Sequence, residues 1–152
     1  MRIRNKSIPH AEESMPDHVK VSFPKELFEL IRSAHGDQVA TICENSNQQP
    51  LLTVRANTIK TKRDDLIKIF SEQGWNVKAT KFAPNGIRFM EPPKGNLFQI
   101  AEFKKGHFEV QDEASQLLGM RVDVKPKQTV LDYCAGSGGK TLAFAPYMHN
   151  SG

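Results

Sequence analysis

The chain has 152 residues, 21 Lys or Arg against 17 Asp or Glu, a formal net charge of +4 and two cysteines. That length holds one ordinary domain, or a small domain with part of a second, and two cysteines as far apart as Cys43 and Cys134 exclude a disulfide-stapled secreted scaffold. The polar start "MRIRNKSIPHAEESMPDHVK" and the lack of a long apolar run argue against a signal peptide and a membrane span, so a cytoplasmic location is expected.

Residues 1–20 mix Pro, Ser, His and charges without an apolar period and are expected to form a mobile tail. Order should begin at "SFPKELFELIRSAHG". Ser22 can cap a helix there, Pro24 suits its first turn, Leu27, Phe28, Ile31 and Ala34 share a face, and Gly36 can end it. A second short helix from Asp37 places Val39, Ile42 and Cys43 together, which makes Cys43 a small core residue.

The stretch from Leu51 reads as strand, helix, strand. Leu51 to Arg55 favour a strand, Thr61 and Asp64 suit a capping box, Leu66, Ile69 and Phe70 form a stripe, and Gly74 closes the helix. A Pro-Asn-Gly turn at Pro84 to Gly86 leads into "IRFM" as a further strand. After Gly106 a short strand at Phe108 to Val110 should run into a helix capped by Asp112. A last strand, Thr129 to Tyr133, then feeds the glycine-rich "CAGSGGKT". Residues 21–106 are thus expected to form a small α/β domain, with a second domain starting at 107.

A glycine-rich turn that opens a helix brings backbone N–H groups together where a ligand can approach closely. A phosphate-binding G-x-x-x-x-G-K-[ST] loop fails at its first position, where Cys134 replaces Gly, and a dinucleotide G-x-G-x-x-G fails at Thr141. The remaining class binds S-adenosylmethionine. "VQDEASQLL" followed by "VLDYCAGSGGKT", with "VRANTIKT" at Val54 to Thr61 and "FEVQDEAS" at Phe108 to Ser115, resembles the RNA cytosine-5 methyltransferases of the RsmB type, over roughly residues 22–152. The resemblance implies a small α/β RNA-binding domain followed by the first strand and helix of a doubly wound methyltransferase domain. It also implies that Cys134, Ala135, Gly136, Ser137, Gly138, Gly139 and Lys140 wrap the methionine end of the cofactor. Pro146 would fall inside the helix after the loop, so a kink or a short first segment is expected.

Residues 51–107 hold eleven Lys or Arg against five Asp or Glu, while the rest of the chain holds ten against twelve. This basic excess suits RNA, the partner that the resemblance implies, with ribosomal RNA as the expected class. Arg55, Asn57, Lys60, Lys62 and Arg63 are the candidate phosphate contacts, and Trp75, Phe82 and Phe89 offer stacking surfaces. Asp112 and Glu113 could serve as acid and base, but capping and domain joining explain them better. Cys134 near a helix start could be an activated thiol, though the family places it in the cofactor loop. The five histidines have no ligand spacing, and no metal is expected.

In the family, the reaction uses cysteines in Pro-Cys and Thr-Cys motifs downstream of the loop, and this sequence contains neither dipeptide. The chain is therefore expected to be an N-terminal piece of such an enzyme, inactive alone. The alternative is a stand-alone RNA-binding module without catalysis, and a weaker third is a small nucleotide binder.

Overall fold

The computed structural model describes residues 14–152, so most of the expected tail lies outside the described residues. Within that tail, Asp17–Lys20 form a one-turn helix, α1, rather than irregular chain. The described chain divides into two compact units, one ending at Pro50 and the other running from Leu51 to Gly152. No helix among the described residues is long and apolar enough to cross a membrane.

The first unit is helical. α2 spans Lys25–His35 and α3 spans Val39–Ser46, joined by a 3-10 turn at Gly36–Gln38. Val21, Phe28, Val39 and Cys43 are its buried core, so Cys43 is the packing residue its position suggests. The expected apolar face of α2 is narrower than the sequence implied, because Phe28 is buried while Leu27 and Ala34 are exposed. Ser22 does not cap α2: it sits at φ +57°, and Pro24 holds the cap position without a side-chain bond.

The second unit is built on a four-stranded antiparallel sheet of order β2-β3-β1-β4, with β1 at Thr53–Ala56, β2 at Val77–Ala79, β3 at Gly86–Phe89 and β4 at Phe108–Val110. Between β1 and β2 lies α4, Arg63–Glu72, and between β3 and β4 lie a 3-10 turn at Leu97–Gln99 and a short α5 at Ala101–Lys104. This is a β-α-β-β-α-β arrangement, two split βαβ units interleaved.

Its core follows from strand alternation. Val54 and Ala56 of β1, Ile87 and Phe89 of β3 and Phe108 of β4 point to one face, where Leu66 and Phe70 of α4 meet them at helical i, i+4 spacing. Phe70 centres an aromatic cluster, with ring centroids 5.5 Å from Trp75, 5.4 Å from Phe89 and 5.3 Å from Phe108. The capping box expected at Thr61 and Asp64 does not form. Lys62 holds the cap position without a side-chain bond, and the Asp64 carboxylate accepts instead from Arg63 Nε at 2.8 Å.

The expected boundary near Gly106 cuts this sheet, because β4 pairs antiparallel with β1 through Val54↔Val110, Arg55↔Glu109 and Ala56↔Phe108. Beyond β4 come α6, Glu113–Met120, and α7, Gly139–Phe144. Gly119 is where these helices touch: a Cβ there would lie 2.7 Å from the Ala143 Cβ, so only glycine permits the approach. The strand expected at Thr129–Tyr133 is absent. No described strand lies beside it to complete a ladder, and Leu131 and Tyr133 are 85% and 91% exposed.

Candidate cofactor loop and nucleic-acid interface

The second face of the sheet carries the polar residues of the strands. α6 packs over it, set by the cap that the sequence indicated: Asp112 Oδ1 accepts from the amides of Ala114 at 2.8 Å and Ser115 at 3.4 Å. Gln116 of α6 is buried on the side that faces the sheet and donates Nε2 to the Gln111 carbonyl at 2.9 Å and to the Val54 carbonyl at 3.3 Å.

Glu113 is neither free acid nor free base. Its Oε1 accepts from the amides of Phe82 at 2.6 Å and Ala83 at 3.1 Å, and its Oε2 pairs with Arg88 Nη2 at 2.6 Å. Burial alone would raise the carboxyl pKa. The two amides and the Arg88 charge outweigh that and hold it below the usual glutamate value. Glu113 therefore stays ionised and ties α6 to β3 and to the β2–β3 turn.

Arg55, expected as a phosphate contact, is only 5% exposed. It alternates to the polar face of β1 and is covered, and its Nε donates to Gln111 Oε1 at 2.7 Å. Nη2 has no partner among the described residues. Burial draws the guanidinium pKa below its ordinary value, against the opposing influence of Glu109, its cross-strand neighbour, and Tyr147. Because Gln111 uses its oxygen on Arg55, its amide nitrogen faces the other way and donates to the Gly139 carbonyl at 2.9 Å. One buried glutamine thus joins the arginine of β1 to the first residue of α7.

That junction holds the glycine-rich loop. Gly136 and Gly138 have φ of +54° and +76°, a region other residues avoid, and nothing lies within 4 Å of where a Cβ would stand on either. Cys134, Ala135, Gly136, Ser137 and Lys140 are exposed, and Gly138 and Gly139 are partly covered. Thr141 Oγ1 donates to Asp132 Oδ2 at 2.7 Å and ties the segment before the loop to the helix after it. α7 has six residues and stops before Pro146, which is the short first segment expected from a proline that cannot donate to the helix. An open turn of left-handed glycines, free of side-chain atoms, suits the close backbone approach of a cofactor's amino-acid end, so the residues fit the group that the sequence implied.

The other expected RNA contacts are placed unequally. Asn57 is committed to backbone partners, accepting from the Ile59 amide of its own loop at 3.2 Å and donating to the Gly106 carbonyl ahead of β4 at 2.9 Å. Lys60 is exposed and donates to the Lys105 carbonyl at 2.8 Å, Lys62 is exposed, and Arg63 pairs with Asp64. Of the three candidate stacking rings, Trp75 and Phe89 are core, while Phe82 is 64% exposed. Sequence reasoning passed over Gln111, although it stands beside the two acids that drew attention. Its signal was a lone amide between a strand and a capped helix.

Residues 23–94 match the family model described as Methyltr_RsmF/B-like, ferredoxin-like domain. The chain is 32% identical over 132 residues to a "Probable ribosomal RNA small subunit methyltransferase B" of Synechocystis, covering 86% of this chain and 29% of that protein. It is 37% identical over 111 residues to a "26S rRNA (cytosine-C(5))-methyltransferase nsun-1" of Caenorhabditis elegans, covering 71% of this chain and 16% of that one. A solved methyltransferase homolog protein from Pyrococcus horikoshii superposes with a TM-score of 0.78 at 26% identity, over 90% of this chain and 44% of that one. The chain thus spans under a third of the curated relatives' length. The β-α-β-β-α-β sheet, the domain match and these relatives together place the chain in the RsmB/Sun-type methyltransferase family, of which it carries the portion that includes the ferredoxin-like domain.

Proposed function

We propose that this chain is the RNA-binding and cofactor-loop portion of an S-adenosylmethionine-dependent enzyme that methylates C5 of cytosine in ribosomal RNA. The observation that carries the reading is the glycine turn held from below by Gln111, open above Gly136 and Gly138, on a ferredoxin-like domain shared with ribosomal RNA methyltransferases. When bound, the cofactor supplies an electrophilic methyl group on sulfur. Cys134, Ala135, Gly136, Ser137, Gly138, Gly139 and Lys140 would hold its methionine end, with the glycines giving backbone access and the segment beyond β4 beginning the methyltransferase domain. The exposed cations Lys60 and Lys62 would hold RNA phosphates, with Arg63 beside them. Arg55 and Asn57 would serve that surface indirectly, through the Gln111 junction and the loop at Ile59.

Under this reading the 152 residues transfer no methyl group alone, since the adenosine crevice and the thiolate that activates cytosine are not supplied by them. The test uses labelled S-adenosylmethionine and unmodified ribosomal RNA, with the chain alone and fused to the remainder of the Synechocystis relative. Label at C5 of cytosine is expected only from the fusion. Transfer by the chain alone would refute its incompleteness, and a folded fusion that labels no RNA would refute the methyltransferase assignment.

A further inference from the structure

We infer that the tip of the β2–β3 hairpin is a stacking site for one unpaired RNA base, with Phe82 beneath the base and Lys78 and Lys81 on the flanking phosphates. The inference rests on the RNA-binding reading above and names where that RNA is gripped.

Phe82 is the one large apolar side chain exposed between residues 77 and 89. Exposed apolar side chains on mobile turns are common and carry little meaning, but this turn is fastened. The amides of Phe82 and Ala83 both donate to the buried Glu113 carboxylate, and Thr80 Oγ1 donates to the Ala83 carbonyl at 2.7 Å. A buried charge spent on two backbone amides sets the ring's position before any ligand arrives, which lowers the ordering cost of binding.

The surroundings select the occupant. Lys81 Nζ already lies 4.9 Å from the Phe82 ring centroid, on the cation-attracting face. Lys78 stands directly opposite Arg88 across the β2–β3 ladder, on the face where Arg88 meets Glu113. Lys78 and Lys81 enter no ion pair among the described residues. An apolar protein partner would need apolar neighbours to seal the contact, and the hairpin offers cations instead. A nucleotide matches both halves, its base covering the ring and its phosphates meeting the lysines. By contrast, the exposed apolar residues after α6, among them Val130, Leu131 and Tyr133, lie close together in sequence and suit burial by further protein.

The experiment measures binding of the chain to a single-stranded RNA containing 2-aminopurine and to a duplex of the same length. The wild type should bind the single strand, with a change in 2-aminopurine fluorescence. Phe82→Ala should weaken that binding about five- to hundredfold while leaving thermal unfolding and duplex binding unchanged. Phe82→Trp should restore affinity, its own emission quenched on binding above the background of Trp75. Joint replacement of Lys78 and Lys81 by Ala should flatten the salt dependence. Equal single-strand affinity for Phe82→Ala and wild type would overturn the stacking site while sparing the RNA reading. Failure of the wild type to bind either RNA would overturn both.

Discussion

Replacing Gln111 tests whether a single amide couples the sheet to the glycine loop. Its Oε1 accepts the Arg55 Nε bond at 2.7 Å and its Nε2 donates to the Gly139 carbonyl at 2.9 Å, both in the covered layer between β1 and α7. A bond to a charged group contributes about 1.5–3 kcal/mol and a neutral one about 0.5–1.5 kcal/mol. Gln111→Leu removes both and leaves the Arg55 guanidinium with a second unmet donor beside Nη2, so the second unit should lose about 2–4 kcal/mol. Trp75, the chain's single tryptophan, lies in that unit's core, and its fluorescence during urea unfolding isolates this unit from the helical one. Gln111→Glu separates the two bonds. It keeps an acceptor for Arg55 and sets a carboxylate oxygen against the Gly139 carbonyl, so amide exchange should rise about five- to thirtyfold through Gly139–Phe144 while β1 stays protected. A Leu variant within about 0.5 kcal/mol of wild type, against the cost expected for a stranded buried donor, or a Glu variant with unchanged exchange in α7, would refute the coupling.

The Glu113 carboxyl, held below its ordinary pKa in the folded state, contributes stability above the unfolded-state value near 4.5, and that stability is lost as pH falls through the folded value. Urea midpoints of the second unit should therefore drop from about pH 5 downward, and Glu113→Gln should flatten that part of the profile; an identical slope in the two proteins would remove Glu113 from the linkage. At the α6–α7 contact, Gly119→Val should force the helices apart and cost about 1–3 kcal/mol, because a Cβ already meets Ala143. An unchanged unfolding midpoint would mean that the helices do not press together there.

The apolar framework was legible because it obeys short-range rules. Leu66 and Phe70 four residues apart, alternation through Val54 and Ala56, and Asp112 ahead of "EASQLL" each fix a local choice, and the structure uses each one. The failures share a cause as well. Thr61 and Asp64 spell a capping box and Thr129–Tyr133 a strand, yet one lost to an ion pair next door and the other has no ladder partner. A motif states what a segment can do, and tertiary neighbours decide whether it does. At Gly106 the same limit holds, because a glycine marks a turn without saying which sheet the next strand joins, and β4 joins β1.

The candidate site reveals a sharper limit, in the difference between Arg55 and Lys81. Both are cations in a basic segment, and composition ranks them alike. Strand alternation could have separated them: Arg55 falls between Val54 and Ala56 and so must face away from the core. Whether that opposite face meets water depends on α6 and α7, more than fifty residues later in the chain, which cover it and turn a phosphate candidate into an internal anchor. Lys81 lies in a turn that no element covers, so its charge remains available, and the buried partner of that turn is again a residue of α6. α6 thus packs through Gly119 on the helix that helps cover Arg55, and through Glu113 it fixes Phe82 at the surface. A substitution in α6 should reach the loop and the hairpin together, whereas one in the hairpin should leave the loop unmoved.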